Sequence, residues 1–546
     1  MYRYIVIVAF IMLLVANSFS TGQFTPRERV QMEFAFLYER DAIPQDYKNC
    51  NITIKSGTPL LMDIVRNRHL LDSRQQRILD ERLSRPTLPN SYDTPDGHFK
   101  IHYHAALVDI EYVQRCGDFF ERSWQVEVDS LGFMPPVSDE GLGGDNRLDV
   151  YIMDLGYGLY GVTYRDFIGG PNPWNDDAAS IQVNSSYEWA DDFPNEDPEG
   201  SPWGAFKVTT AHEFFHAIQM AYDADEEMWL LETASVWMED VVFDYVNDYY
   251  NYLSGRSDYI FVSPWKSLME NSMHYYSTNI FFHYLNSRFG SGIINDIFDE
   301  MISTTVNGMY AIDAALDSLG ENLDDEFLGF AAWNYLTGSR ADSFHYDEAA
   351  VYPEIAVETV IDVLPFSFIP ISSHRPYSFG ANYITLNNTS EPGIAIDLTG
   401  AMAAEWKYAV IIPGDTAKIL IPDEYGYVDT NGQPAAIVVV AIGDYLPYTQ
   451  YAYVAEISSS DAVEERIEKP GYCRISAYPN PFNGKISFES QFSGRVIIRN
   501  IVGREVFTET IKSGDILQWN PMDATAGVYF VGMEHGKNYS KILYMP

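Results

Sequence analysis

Helical periodicity runs through much of the first 345 residues of this chain, stops near residue 350, and gives way to short apolar runs separated by turn residues. That switch forbids one uniform architecture, and 546 residues exceed what a single core can serve, so three or four units are expected. Residues 90–345 begin with strand patterns at HFKIHYH (98–104), RLDVYIMDL (147–155) and AASIQVNSSY (178–187). Long helical segments follow, from about Val208 to Asp223, Met228 to Tyr245 and Ser277 to Arg288. Strands first and helices afterwards give a multidomain α+β chain. Residues 346–458, with YSFGANYITLNN, GIAIDLTG, YAVIIPG and AAIVVVAIG, read as a small β-sandwich. Residues 459–471 read as a charged linker, and 472–546 as a last β-rich unit of sandwich type.

The N-terminus carries its own signals. Residues 1–20 have one Arg, an apolar run and small residues near the end, the pattern of a secretory signal peptide cleaved around Ser18 to Thr21, or of an uncleaved anchor. No later stretch holds about 18 uninterrupted apolar residues, so no other transmembrane span is expected. Residues 21–89 show helical spacing and lie where a propeptide would, although a plain N-terminal helical subdomain has the same pattern. Three cysteines allow Cys50 to pair with Cys116 and leave Cys473 over, and their spacing fits no zinc-binding cysteine set. With 77 acidic against 35 basic residues the net charge is −42, which excludes nucleic acid and anionic membrane as partners. Asn51-Ile52-Thr53 is a glycosylation pattern in form only.

The chemistry concentrates at HEFFH, residues 212–216. Two histidines four apart share one helix face and reach a single ion, and Glu213 beside the first reaches a water on that ion. A catalytic zinc takes three protein ligands and leaves one position open. The candidate for the third is Glu232 in MWLLETASVWMED, a carboxylate in an apolar helical segment, where it is costly unless bound to a cation or paired by a local cap or salt bridge. Glu239, two turns further on, lies on the same face and is placed to hydrogen-bond a ligand histidine. Asp145, Asn146 and Asp149 in GLGGDNRLDVY offer oxygens on a Gly-rich turn, where they either hold calcium or bond their own backbone.

HEFFH followed by WLLETASVWME resembles the gluzincin metallopeptidases, most of all the aminopeptidase and leukotriene-A4-hydrolase branch. The resemblance implies a zincin-like catalytic domain, β-rich above and helical below, with His212, His216 and Glu232 as zinc ligands, Glu213 as general base and Glu239 in support. It extends to HYYSTNIFFHYL (274–285), where a tyrosine ten residues before Leu285 would polarise the scissile carbonyl: Tyr275, with Tyr276 beside it. In such enzymes the substrate lies antiparallel along an edge strand preceding the zinc helix, and AASIQVNSSY takes that place by position. No GxMEN segment precedes His212, so aminopeptidase specificity is not implied, and Val236 stands where thermolysin-like enzymes have Asp. The wider layout also resembles a group of secreted bacterial metallopeptidases.

AYPNPFNGKISFES, GRVIIRNIVGREVF, AGVYFVGM and the final KILYMP resemble the type A sorting domain of type IX secretion. That resemblance implies export to the medium or cell surface of a Gram-negative-type bacterium, with the type IX machinery as partner. The expectation is therefore a secreted zinc-dependent peptidase cutting protein or peptide substrates, as an endopeptidase since no amine anchor is visible. The rivals are a catalytically silent zinc-binding envelope or adhesion protein, and a zinc hydrolase acting on a non-peptide bond.

Overall fold

The computed structural model describes residues 25–39, 54–303, 308–387, 392–423, 426–459, 475–478, 482–490, 494–500, 504–512, 515–521, 524–533 and 539–544. The signal segment, Asn51–Thr53, Cys50, Cys473, residues 460–471 of the linker, and parts of the YPNPFN and IVGREV motifs lie outside them. The chain divides into two compact units, Met1–Ser458 and Ser459–Pro546. Among the described residues no helix is long and apolar enough to cross a membrane.

The larger unit opens with three helices. The first, α1 (Pro26–Tyr38), starts at a capping box between Thr25 and Glu28 with proline in the first turn. After β1 (Ile54–Ser56) come α2 (Thr58–Arg66) and α3 (Ser73–Leu83). The continuous helical pattern of 62–83 is split because Asp72 and Gln75 form a second capping box, which starts a new helix at Ser73. Val30, Phe34, Leu61, Ile64 and Leu79 pack into a small core of their own, walled by Leu159, Val162 and Tyr164.

Five further strands join β1 in a mixed sheet: β2 (Asn90–Asp93), β3 (Phe99–Tyr103), β4 (Leu148–Met153), β5 (Leu159–Arg165) and β6 (Ala179–Asn184), ordered β1-β5-β6-β4-β3-β2. AASIQVNSSY is thus an interior strand: β6 lies between β5, antiparallel to it, and β4, parallel to it. Its full burial on both faces fits that place. The outer edge of β5 is taken by β1, which pairs with it in parallel, Ile54 opposite Leu159 and Ser56 opposite Gly161.

Between β3 and β4 runs α4 (Ile110–Trp124), and after β6 come α5 (Ser201–Tyr222) and α6 (Met228–Phe243). α5 begins seven residues before the periodicity suggested, because Gly200 turns the chain at φ 101° and Pro202 suits a first helical turn. Both α5 and α6 are buried almost all round, so their apolar residues form no stripe. The helical part continues with α7 (His274–Ser277), α8 (Ile280–Phe289), α9 (Gly292–Ser303), α10 (Gly308–Leu319) and α11 (Leu323–Tyr335).

Residues 359–459 form two sheets. One has the order β12-β11-β14-β9-β7, from β7 (Thr359–Ile361), β9 (Gly380–Leu386), β11 (Glu405–Ile412), β12 (Lys418–Leu420) and β14 (Ala435–Ile442). The other is β13-β10-β15-β8, from β8 (Phe366–Phe368), β10 (Gly393–Gly400), β13 (Tyr427–Asp429) and β15 (Tyr453–Ser459). β14 is buried at all eight positions: Ala436, Val438, Val440 and Ile442 join the main helical core, while Ala435, Ile437 and Val439 face the sandwich core. Tyr383 on β9 donates its hydroxyl to the Ala331 carbonyl of α11 at 2.8 Å.

The smaller unit packs a three-stranded sheet (Ile475–Tyr478, Ile486–Ser490, Ile516–Trp519) with a four-stranded one (Gly494–Asn500, Glu505–Ile511, Gly527–Met533, Tyr539–Tyr544) around Ile486, Phe488, Val496, Ile498 and Trp519.

Candidate metal centre

Helical spacing puts His212 and His216 on one face of α5, and α6 crosses against it to bring Glu232 within reach. Among the described residues, His212, His216 and Glu232 are the one group of three or more His, Cys, Asp or Glu side chains whose donor atoms converge on one point. Nε2 of His212 and Nε2 of His216 are 3.1 Å apart. Glu232 brings one carboxylate oxygen to 3.3 Å from the first and the other to 3.0 Å from the second. All three side chains are buried.

The far side of each ring is already committed. His212 donates its Nδ1–H to Glu239 Oε1 at 2.7 Å. His216 donates its Nδ1–H to Gln219 Oε1 at 2.7 Å, and Gln219 is oriented by its own Nε2–H, which donates to the Leu231 carbonyl and to Ser235 Oγ. In their neutral form, with the proton on Nδ1, the imidazoles turn two bare Nε2 lone pairs towards each other beside the Glu232 carboxylate, whose oxygens face only those two rings among the described residues. The cluster calls for positive charge. Burial pushes the His212 pKa down, but Glu232 and Glu239 outweigh it and raise it to about 10. Burial pushes Glu232 up, yet His216 and His212 bring it down to about 2. Donor atoms about 2.0 to 2.1 Å from a tetrahedral ion stand roughly 3.3 Å apart, so the residues present fit zinc.

Glu213 points from the same helix towards β5. Thr163 donates its hydroxyl to Glu213 Oε2 at 2.6 Å, while Oε1 has no partner among the described residues. The approach of strand to helix needs Gly161, where a Cβ would stand 2.7 Å from Glu213 Cγ. Tyr275 and Tyr276 both lie close enough to Glu232 for its charge, after burial, to raise their pKa. Tyr276 is fully buried and its hydroxyl accepts the Ser56 amide N–H at 3.3 Å. Tyr275 instead borders a cleft of about 360 Å³ that Arg29, Asp63 and Met228 also line.

Sequence reasoning passed over Gly161, Thr163, Gln219, Lys55 and Asp248. Gln219 was within reach, since it follows His216 by three on the same helix face. The others come from distant segments and carry no local signal.

Asp145, Asn146 and Asp149 are not brought together as a ligand set. Asp145 pairs with Lys100 and Arg147, Asp149 with Arg85 and His102, and Asn146 is exposed. The turn oxygens are answered by protein cations: Arg85 also binds Asp139 and Asp166. Among the described residues Cys116 is a free, buried thiol, and Cys50, with which the sequence allowed it to pair, lies outside them.

Comparison with known proteins bears on the C-terminal unit. Residues 476–544 match the family described as a secretion system C-terminal sorting domain. The unit is a type IX sorting domain. It marks the chain for secretion to the exterior or cell surface through the type IX machinery. No curated protein matches the chain. A chain of the chaperone–tip adhesion subunit pre-assembly complex of the Csu pili of Acinetobacter baumannii is similar at 8% identity over 33% of this chain and 98% of that one, with a TM-score of 0.10, too low to bear on the fold.

Proposed function

We propose that the larger unit is a zinc peptidase of gluzincin type, exported by its sorting domain to cut proteins or peptides outside the cell. The observation that carries this reading is the pair of bare Nε2 atoms 3.1 Å apart beside Glu232, a donor set with three protein ligands and no cysteine. The mixed sheet with β5 antiparallel to β6 beside the HEFFH helix supports a zincin-like domain.

His212, His216 and Glu232 would hold the metal, and zinc so bound supplies a polarised carbonyl and a water of lowered pKa. Glu213 takes the water's proton on Oε1, because Thr163 occupies Oε2 and fixes the carboxylate's direction. The same carboxylate then returns the proton to the leaving amine. Glu239 and Gln219 keep the two imidazoles in the tautomer that leaves Nε2 free. Of the two tyrosines, Tyr276 is the better placed to donate to the oxyanion, since its hydroxyl already touches backbone lying along β5.

The test is digestion of a mixed peptide library by the full chain and by residues 84–470, each with and without Glu213→Gln. The shorter form retains Arg85, which ties Asp139, Asp149 and Asp166 together. Cleavage that disappears in Glu213→Gln while zinc remains bound supports the assignment. Zinc-loaded forms that cut nothing contradict it.

A further inference from the structure

The edge of β5 beside Glu213 is filled by the chain's own residues. Ile54 donates its amide to the Gly158 carbonyl, and Gly57 to the Gly161 carbonyl, so residues 54–57 lie as an added strand. Thr58 Oγ donates to Glu213 Oε2 at 3.2 Å and accepts the Thr163 amide at 2.9 Å, which places a hydroxyl on the general base. Between these contacts Lys55 runs into the interior. Its ammonium is fully buried, ion-paired to Glu239 and Asp248, with the rings of Tyr160 and Tyr252 at 5.4 and 5.0 Å. Burial opposes the charge, but the two carboxylates outweigh it and hold the Lys55 pKa above its ordinary value.

A shield needs no such contact. Phe34, Leu61, Leu79 and their neighbours already hold α1 to α3 together in a core that meets the rest of the unit at Leu159, Val162 and Tyr164. Lys55 instead fills an acidic recess one residue behind a zinc-ligand histidine, since Glu239 is also the acceptor for His212. Without Lys55, the buried carboxylates of Glu239 and Asp248 would face each other with no cation between them, which is costly. A basic side chain from another peptide restores the balance.

We propose that the cleft along β5 recognises peptides by a Lys or Arg side chain seated between Glu239 and Asp248, and that Ile54–Thr58 is its built-in occupant, with Lys55 in that subsite. This rests on the peptidase reading above. The occupant survives because of its direction. β1 is parallel to β5, whereas a substrate of the proposed type runs antiparallel to that strand. The reversed strand offers Tyr276 an amide N–H instead of a carbonyl, and offers Glu213 a hydroxyl.

The test uses the full chain carrying Glu213→Gln, so that peptides bind without being cut. Lys55→Met removes the resident charge, and Phe34→Ala loosens the segment through its own core without touching the cleft. Two labelled peptides, identical except for one Lys replaced by Met, are titrated by fluorescence anisotropy while hydrogen exchange follows residues 54–58. Both variants should exchange faster there and bind the Lys peptide at least about 10-fold more tightly than the Met peptide, as a charge-assisted contact in a buried site requires. Adding Asp248→Asn to Phe34→Ala should abolish that preference. Equal binding of the two peptides, no binding by released chains, or unchanged exchange in both variants overturns the proposal. Zinc content of the same samples separates the two readings: zinc-free chains that keep the Lys preference contradict the metal assignment and leave this one standing.

Discussion

Around α5 and α6 the main core of the larger unit buries His212, Glu213, His216, Glu232 and Glu239, whereas the core between the two sheets of residues 359–459 is built from Ile384, Ile394, Val410, Ile437 and Val439. Among the described residues of 359–459, the buried polar side chains are Ser378, Asn382 and Thr430, none of them charged. The two regions share strand β14, yet only one meets the cost of buried charge. An aliphatic core is sufficient for stability. On the proposed reading the cluster of carboxylates and imidazoles serves chemistry, and the helical region is where a substitution should separate activity from stability.

The strongest way to break this comparison is Glu213→Gln. It should lower kcat/KM by about 10²- to 10⁴-fold, the range for losing a general acid–base group, with zinc content and thermal midpoint nearly unchanged. Ile437→Ala should do the reverse. It opens a cavity on the sandwich side of β14 and should cost about 2–5 kcal/mol in denaturant unfolding, while folded chains keep their zinc and their turnover. If Ile437→Ala empties the metal site, the two regions are not separable.

Two finer predictions sharpen the contrast. Gln219→Leu removes the nearer acceptor of His216 Nδ1, leaving Ser235 Oγ at 3.3 Å, and should weaken zinc binding about 10- to 100-fold in a chelator competition. His274, buried beside the site, donates Nδ1–H to the Asp258 carbonyl, and burial together with Lys266 lowers its pKa from 6.5 to about 4. The unfolded chain therefore binds a proton that the folded chain refuses across that interval. Stability should fall as pH drops from 6.5 towards 4, by up to about 1.4 kcal/mol per pH unit, and His274→Gln should flatten the slope.

How much of this could be read from the sequence follows from where each constraint resides. His212, His216, Glu232 and Glu239 are legible because helix geometry turns spacings of four and seven into shared faces. The sorting domain is legible because its motifs recur as a set along about 70 contiguous residues. Strand order is different. AASIQVNSSY has the right pattern for a strand, but nothing local says that β5 and then β1 lie outside it. LYGVTYR, with Gly161 as its third residue, has no clean alternation, because the glycine serves the approach of Glu213 and not a packing face. Lys55 looks like any surface lysine until the fold brings Glu239 and Asp248 to it. AAIVVVAI does carry its message: an uninterrupted apolar strand is buried on both faces, and β14 separates two cores.

Zinc measured by atomic absorption in the purified full chain, alongside Glu232→Gln, decides whether His212, His216 and Glu232 hold a metal. The parent should carry about one zinc per chain and the variant should lose it, with both chains folded. A folded parent that binds no zinc, or a variant that retains it fully, would contradict the assignment of His212, His216 and Glu232 as a metal centre.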